Sequence, residues 1–328
     1  MEDLNYNYVI FGSSGYYLAG YHDIIGHPNV YYVEDFYQGF NGVFSRIIVK
    51  LFYSEKVNRV VRTPFSSYVF PHIFTNVFKE NKPLCFIFFG HWYRLINSSY
   101  IPYLRKKYPD MKCVLYMQDL VNKSLGIDME SLREKMDVII TYDKGESMRY
   151  GIEYYPTPMS CLKIQNDNDI AHSDFYFCGK PKERYYILKD LYNVLKSKGY
   201  SCDFIIIGDV KEEDKVDGIR YQNTTFDYFE NLRHVTKTKC VIEIMQEGAN
   251  GYTPRLWEAI VNDKHLLTNN KEVANYEYFD DKKIHILSNC SSIDLSWVNY
   301  PIYYEHDVKE KLSPINFLKH VEKLLQRL

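Results

Sequence analysis

Short, almost wholly apolar runs alternate with longer stretches whose apolar residues recur every three or four positions, and this alternation predicts βα units. In the first half the strand-like runs are Tyr8–Phe11, Val30–Val33, Leu84–Phe89, Cys113–Met117 and Asp137–Thr141. Runs so uniformly apolar suit parallel strands covered on both faces. Asp128 and Glu130 mark a helix start, and a further helix ends at Gly151. The segment 159–173, polar and without period, reads as a linker. The pattern then restarts with strands at Phe175–Gly179, Phe204–Gly208, Cys240–Ile244, His265–Thr268 and His285–Leu287. Helices are expected over Glu183–Lys198, Pro254–Val261 and Pro314–Leu328. The expected architecture is α/β: two Rossmann-like domains, 1–158 and 174–328, facing across a cleft, with the last helix able to pack back on the first domain. Ligands of such sheets bind outside the carboxyl ends of the strands.

Composition changes this picture little. The chain has 328 residues, enough for two domains, and its formal net charge of -2 gives no general attraction for nucleic acid. The seven cysteines are scattered, form no C-x-x-C pair and suit a reducing compartment. The start of the chain lacks the basic, then long apolar, character of a signal peptide, and no run approaches a membrane span. A cytoplasmic location follows as the expectation. Contact with the inner face of the membrane is open, because residues 40–79 carry Arg46, Lys50, Lys56, Arg59, Arg62 and Lys79 among apolar residues at helical spacing. An ordinary buried helix with a solvated basic face is the alternative.

The richest chemistry lies in residues 243–270. A strand ends at Ile244, a loop with Gln246 and Gly251 follows, and Thr253 then Pro254 mark a helix start as N-cap and first-turn proline. A small-residue loop feeding a helix N-terminus is an anion site, because free amides and the helix dipole point at the ligand. Arg255 can add a bidentate phosphate contact. Glu258, one turn on, can accept from two ribose hydroxyls or can simply pair with Arg255. Gly179 ends another strand beside Lys180, Lys182 and Arg184, a basic cluster at a helix start where cations oppose the dipole unless an anion sits between them. In the first half, Gly12, Ser13, Ser14 and Gly15 form a candidate phosphate loop. Asp119, His91, Glu34 and Asp35 each follow a strand end, where a general base can act on an acceptor hydroxyl.

The segment around Gln246, Gly251, Thr253, Arg255, Glu258, Ala259, Lys264, Thr268 and Asn269 resembles the donor-binding segment of bacterial GT-B glycosyltransferases of surface polysaccharide synthesis. The resemblance extends over residues 175–208, 112–124 and 137–158, and is weakest over 36–80. It implies transfer of a sugar from a nucleotide-sugar donor, uridine-diphosphate-linked, to a glycan or lipid-linked glycan, with no cofactor and no metal. Two departures stand out: Asn250 occupies the position of the first of two acidic residues common in that group, and G-x-G-x-x-G is absent. An epimerase on the same fold, or a non-catalytic subunit binding sugar nucleotides or glycans, are the rival readings.

Overall fold

The computed structural model describes residues 3–13, 15–54, 65–118, 120–121, 128–162, 164, 169–224, 227–245, 252–291 and 293–328. The chain divides into two compact units, Met1–Pro158 with Ser313–Leu328, and Met159–Leu312. Each is built on a six-stranded sheet whose paired strands are all parallel.

The first sheet comprises β1 (Asn7–Phe11), β2 (Val30–Val33), β3 (Leu84–Phe89), β4 (Lys112–Met117), β5 (Val138–Thr141) and β6 (Glu153–Tyr154), in the order β2-β1-β3-β4-β5-β6. All residues of β1, β3 and β5 are buried, which is why these strands read as continuous apolar runs. Packed on this sheet are α1 (Tyr16–Gly20), α2 (Val43–Tyr53), α3 (Ser66–Ile73), α4 (Tyr93–Ile96), α5 (Tyr100–Lys107), α6 (Met129–Lys135) and α7 (Lys144–Tyr150). Asp128 and Asp143 cap α6 and α7 by accepting from Glu130 and Glu146 amides, and Gly151 closes α7 at φ 59. Aromatic rings fill much of the core, with Phe11 stacked on Phe88 at 4.5 Å.

The second sheet comprises β7 (Ser173–Gly179), β8 (Cys202–Ile207), β9 (Arg220–Gln222), β10 (Thr238–Glu243), β11 (His265–Thr268) and β12 (Ile284–Ile286), in the order β12-β11-β10-β7-β8-β9. Its helices are α8 (Tyr185–Ser197), α9 (Tyr228–Lys237), α10 (Pro254–Val261) and α11 (His306–Leu312). The terminal helix α12 (Pro314–Leu325) belongs to the first unit rather than to the one it follows in sequence. Its Glu322 accepts from the Asn5 amide at 2.7 Å and from the Tyr8 hydroxyl at 3.1 Å, and Phe317 packs against Tyr116. The expected linker begins inside the second unit: Met159 and Ser160 are buried, and the Met159 amide donates to the Leu312 carbonyl. No helix among the described residues is long and apolar enough to cross a membrane.

Strand order reverses between β1 and β3 in one unit and between β7 and β10 in the other. These two switch points are where a sheet of this kind leaves a crevice at its carboxyl edge.

Candidate functional site

At the second unit's switch point, β7 ends in Gly179 and β10 ends in Glu243. Two arginines reach this edge from different elements. Arg184, at the start of α8, donates to the Lys180 carbonyl at 3.1 and 3.2 Å and, across the crevice, to the Ile244 carbonyl beyond β10. Arg255, in the first turn of α10, donates back to the Cys178 carbonyl of β7. Both guanidinium groups lie over the Phe177 ring, at 5.5 and 5.4 Å. They also converge on Gly179. A methyl group there would sit 2.9 Å from Arg255 Nη2 and 3.3 Å from Arg184 Nη2, so the absence of a side chain is what admits both.

Neither arginine forms a salt bridge among the described residues. Burial, and the charge of Arg255 beside it, push the Arg184 guanidinium down to about 10 against the pull of Glu243. Two partly buried like charges at one point are unfavourable unless an anion joins them.

Glu243 is the buried counterpart, 1% exposed. Its carboxylate accepts from the hydroxyls of Thr253 and Thr268, while the Thr253 Oγ1 also accepts from the Arg255 amide at 3.2 Å and so caps α10. Burial raises the Glu243 pKa, with the two hydroxyls and the two arginines opposing that rise. Asn269 fastens the neighbouring strand end by accepting from the Met245 amide at 2.7 Å. The helix N-terminus is thereby tied to β10 and β11 through one buried carboxylate. Sequence reading passed over Glu243; a lone acid closing the apolar run KCVIEI was the available signal.

Of the expected donor residues, Gly179, Arg184, Thr253 and Arg255 are brought together here, and Gln246 and Gly251 lie outside the described residues. Lys180 contributes its carbonyl to Arg184, while its exposed side chain lines an open pocket of about 760 Å³ with Lys182, Gly208, Asp209, Asn223 and Thr224. This pocket lies past the ends of β7, β8 and β9, within the usual volume range of small-molecule sites. Glu258 neither pairs with Arg255 nor stands open to solvent. It is 4% exposed, and its Oε1 accepts from the Tyr228 hydroxyl and from Asn231 Nδ2, both on α9. Its Oε2 makes no hydrogen bond among the described residues, and burial raises the Glu258 pKa.

The first unit's switch point is built differently. The Gly12 carbonyl accepts from His91 Nε2 and from Trp92 Nε1, each at 2.7 Å. Because a carbonyl only accepts, His91 Nε2 carries a proton in this contact. The Ser13 amide donates to the Tyr32 hydroxyl at 3.0 Å, which donates back to the Ser13 carbonyl at 2.8 Å. Tyr32 thus ties the Ser13 backbone at the head of the candidate phosphate loop, and the helix that follows it has five residues. Ser14 lies outside the described residues, as does Asp119. His91 stands at the switch point, whereas Glu34 and Asp35 follow the edge strand β2 and are exposed. Asp35 caps its own turn by accepting from the Tyr37 amide at 2.6 Å. Of the basic residues expected at a surface over 40–79, Lys56, Arg59 and Arg62 lie outside the described residues.

Two α/β units, each on a parallel sheet with a single reversal of strand order, define a fold of the GT-B type. No protein-family model matches the chain, and no curated protein matches it in sequence. Among solved structures it is similar to a UDP-forming α,α-trehalose-phosphate synthase from Burkholderia xenovorans, with TM-score 0.54, 10% identity, and 97% of this chain and 98% of that one covered. It is also similar to an α,α-trehalose 6-phosphate synthase from Burkholderia multivorans, with TM-score 0.52, 9% identity, and coverage of 99% and 97%. At these identities the likeness establishes the fold.

Proposed function

We propose that this chain is a glycosyltransferase whose second unit holds a nucleoside-diphosphate sugar, with uridine as the nucleoside. The observation that carries the reading is the pair Arg184 and Arg255, converging on Gly179 at the β7/β10 switch point with no carboxylate salt-bridged to either among the described residues. A diphosphate supplies the missing charge, and the Thr253-capped start of α10 adds amides and a favourable dipole. The open pocket past β7, β8 and β9 has room for a nucleoside, and the Glu258 Oε2 is an acceptor for a hydroxyl. Solved structures of similar fold are described as UDP-forming, which supports the choice of uridine.

In the reaction, the bond between the sugar's anomeric carbon and the diphosphate oxygen breaks, and a bond from an acceptor hydroxyl oxygen forms. The hydroxyl's proton leaves to a base. Charge grows on the diphosphate as it departs, and fixed guanidinium groups and helix amides stabilise that charge without reorganising. We take the leaving group to be held by these groups alone, so chelation with EDTA should leave turnover unchanged within about twofold, measured as UDP release. The acceptor is read as a glycan or lipid-linked glycan of bacterial surface polysaccharide synthesis, on the strength of the resemblance around residues 243–270.

The test is a panel of UDP-sugars incubated with and without candidate acceptors. Acceptor-dependent release of UDP, abolished in Arg255→Ala, is expected. Conversion of the donor to a second nucleotide sugar without acceptor would instead make the chain an epimerase, and tight donor binding with no turnover would make it a binding subunit.

A further inference from the structure

Three exposed apolar side chains of the first unit share one helix, whereas Tyr37, Val77, Met148 and Leu328 are exposed singly elsewhere. Val43 and Phe44 are each 77% exposed and Ile47 is 48% exposed, all on α2. Of that helix only Val49 is fully buried, with Ile48, Phe52 and Tyr53 packed against the core. At about 100° per residue, Val43, Ile47 and Phe44 fall along one outer flank, and Arg46 and Lys50 fall along the flank beside it. Arg46 and Lys50 are both exposed, and the Arg46 guanidinium lies 5.9 Å from the Tyr37 ring, itself at the surface. Residues 36–54 contain no aspartate or glutamate. The apolar stripe foreseen from the sequence therefore divides: its inner members enter the core, and its outer members stand in water next to two cations.

Two occupants fit an apolar strip of this kind, another protein surface or a lipid interface. The apolar strip is one helix wide and runs from residue 43 to residue 47, about 6 Å along the axis, far short of the roughly 800 Å² per partner that a stable protein interface buries. A bilayer sets no such minimum, because its acyl region accepts individual apolar side chains and its phosphates meet the flanking cations.

We propose that the outer face of α2 seats this chain on an anionic phospholipid bilayer, with Val43, Phe44 and Ile47 entering the interfacial layer and Arg46 and Lys50 meeting lipid phosphates. This would bring a lipid-linked acceptor to the enzyme, yet it does not rest on the transferase reading, since vesicle binding needs neither donor nor acceptor.

The experiment is co-sedimentation of the full chain with vesicles of phosphatidylglycerol and phosphatidylcholine, against phosphatidylcholine alone. Binding to the first should exceed binding to the second by about tenfold or more and weaken with salt. Phe44→Ser with Ile47→Ser, and separately Arg46→Ser with Lys50→Ser, should each lower partition about tenfold at unchanged Tm, because the replaced groups are exposed. Phe44→Trp gives a second readout: on the anionic vesicles its added emission should shift to the blue. Absence of wild-type binding, undiminished binding in both double variants, or an added indole emission that does not move in Phe44→Trp would overturn the proposal. So would concentration-dependent self-association that Phe44→Ser with Ile47→Ser abolishes, which would make the face an interface between copies.

Discussion

The two units share one plan and put opposite chemistry at the same topological position. At the β1/β3 reversal, the Gly12 carbonyl and the Ser13 amide are engaged by His91, Trp92 and Tyr32, and aromatic rings pack around them. At the β7/β10 reversal, two arginines meet over Phe177 and a glycine with no ion-paired partner among the described residues. Among the described residues of the first crevice, the Gly12 and Ser13 backbone groups are satisfied by the protein itself. The second carries a charge imbalance that a ligand can relieve. Parallel topology fixes where a crevice forms, and the side chains decide whether it is closed or left for an anion.

Substitutions can break this contrast, and the largest effect belongs to the arginines. Arg184→Ala and Arg255→Ala should each weaken binding of a nucleoside diphosphate by about 2–3 kcal/mol, measured calorimetrically, because each removes charge-assisted hydrogen bonds from a partly buried site. Neither should lower the Tm of the unliganded protein much, since each also relieves repulsion.

The two switch-point glycines sharpen the comparison. A methyl at Gly12 would lie 2.1 Å from the Tyr32 ring, which is held in place by the Ser13 backbone, so Gly12→Ala should destabilise the fold by about 2 kcal/mol and leave diphosphate binding intact. A methyl at Gly179 crowds the ends of two long side chains and meets the Phe177 ring at an ordinary contact distance of 3.5 Å, so Gly179→Ala should fold normally and weaken the diphosphate about tenfold by displacing the guanidinium groups. Denaturant titration and calorimetry on both variants check the pair; equal effects of the two would remove the contrast.

A smaller effect tests Glu258. Burial raises its pKa, so its favourable contribution to stability is complete below the ordinary glutamate pKa and is lost as pH rises through the raised folded value. Glu258→Gln removes that loss and keeps an oxygen for Tyr228 and Asn231. The variant should therefore be more stable than wild type at neutral pH, by roughly 1 kcal/mol, with the curves converging in acid. If Oε2 receives a ribose hydroxyl, donor affinity should fall in the same variant.

Much of this was legible along the chain. The strands β2, β3 and β11 and the helix α10 match the expected spans, because apolar runs of uniform burial and a Thr-Pro helix start leave little ambiguity. Thr253 caps as its residue type dictates. What escaped has a physical reason in each case. The helix α9 has apolar Tyr228, Leu232 and Val235 at helical spacing, but it also turns His234 and Lys237 inward and half-buries Asn231, and these polar residues dilute the pattern; with the helix went the partners of Glu258. The edge strand β9 has three residues, none fully buried. Tyr32 reaches the Ser13 backbone through pairing of β1 with β2, where Ile10 stands opposite Tyr32; neither strand reveals that register alone. Glu243 needed Thr253 and Thr268, 10 and 25 residues away, to give it meaning.

The central claim concerns the diphosphate, so the decisive measurement compares UDP with uridine by isothermal titration, in the wild type and in Arg184→Ala with Arg255→Ala. Two guanidinium groups gripping the phosphates predict that wild type prefers UDP by about a hundredfold or more, and that the preference collapses in the double variant. Equal affinity for the two compounds, or a preference that survives loss of both arginines, would contradict the account.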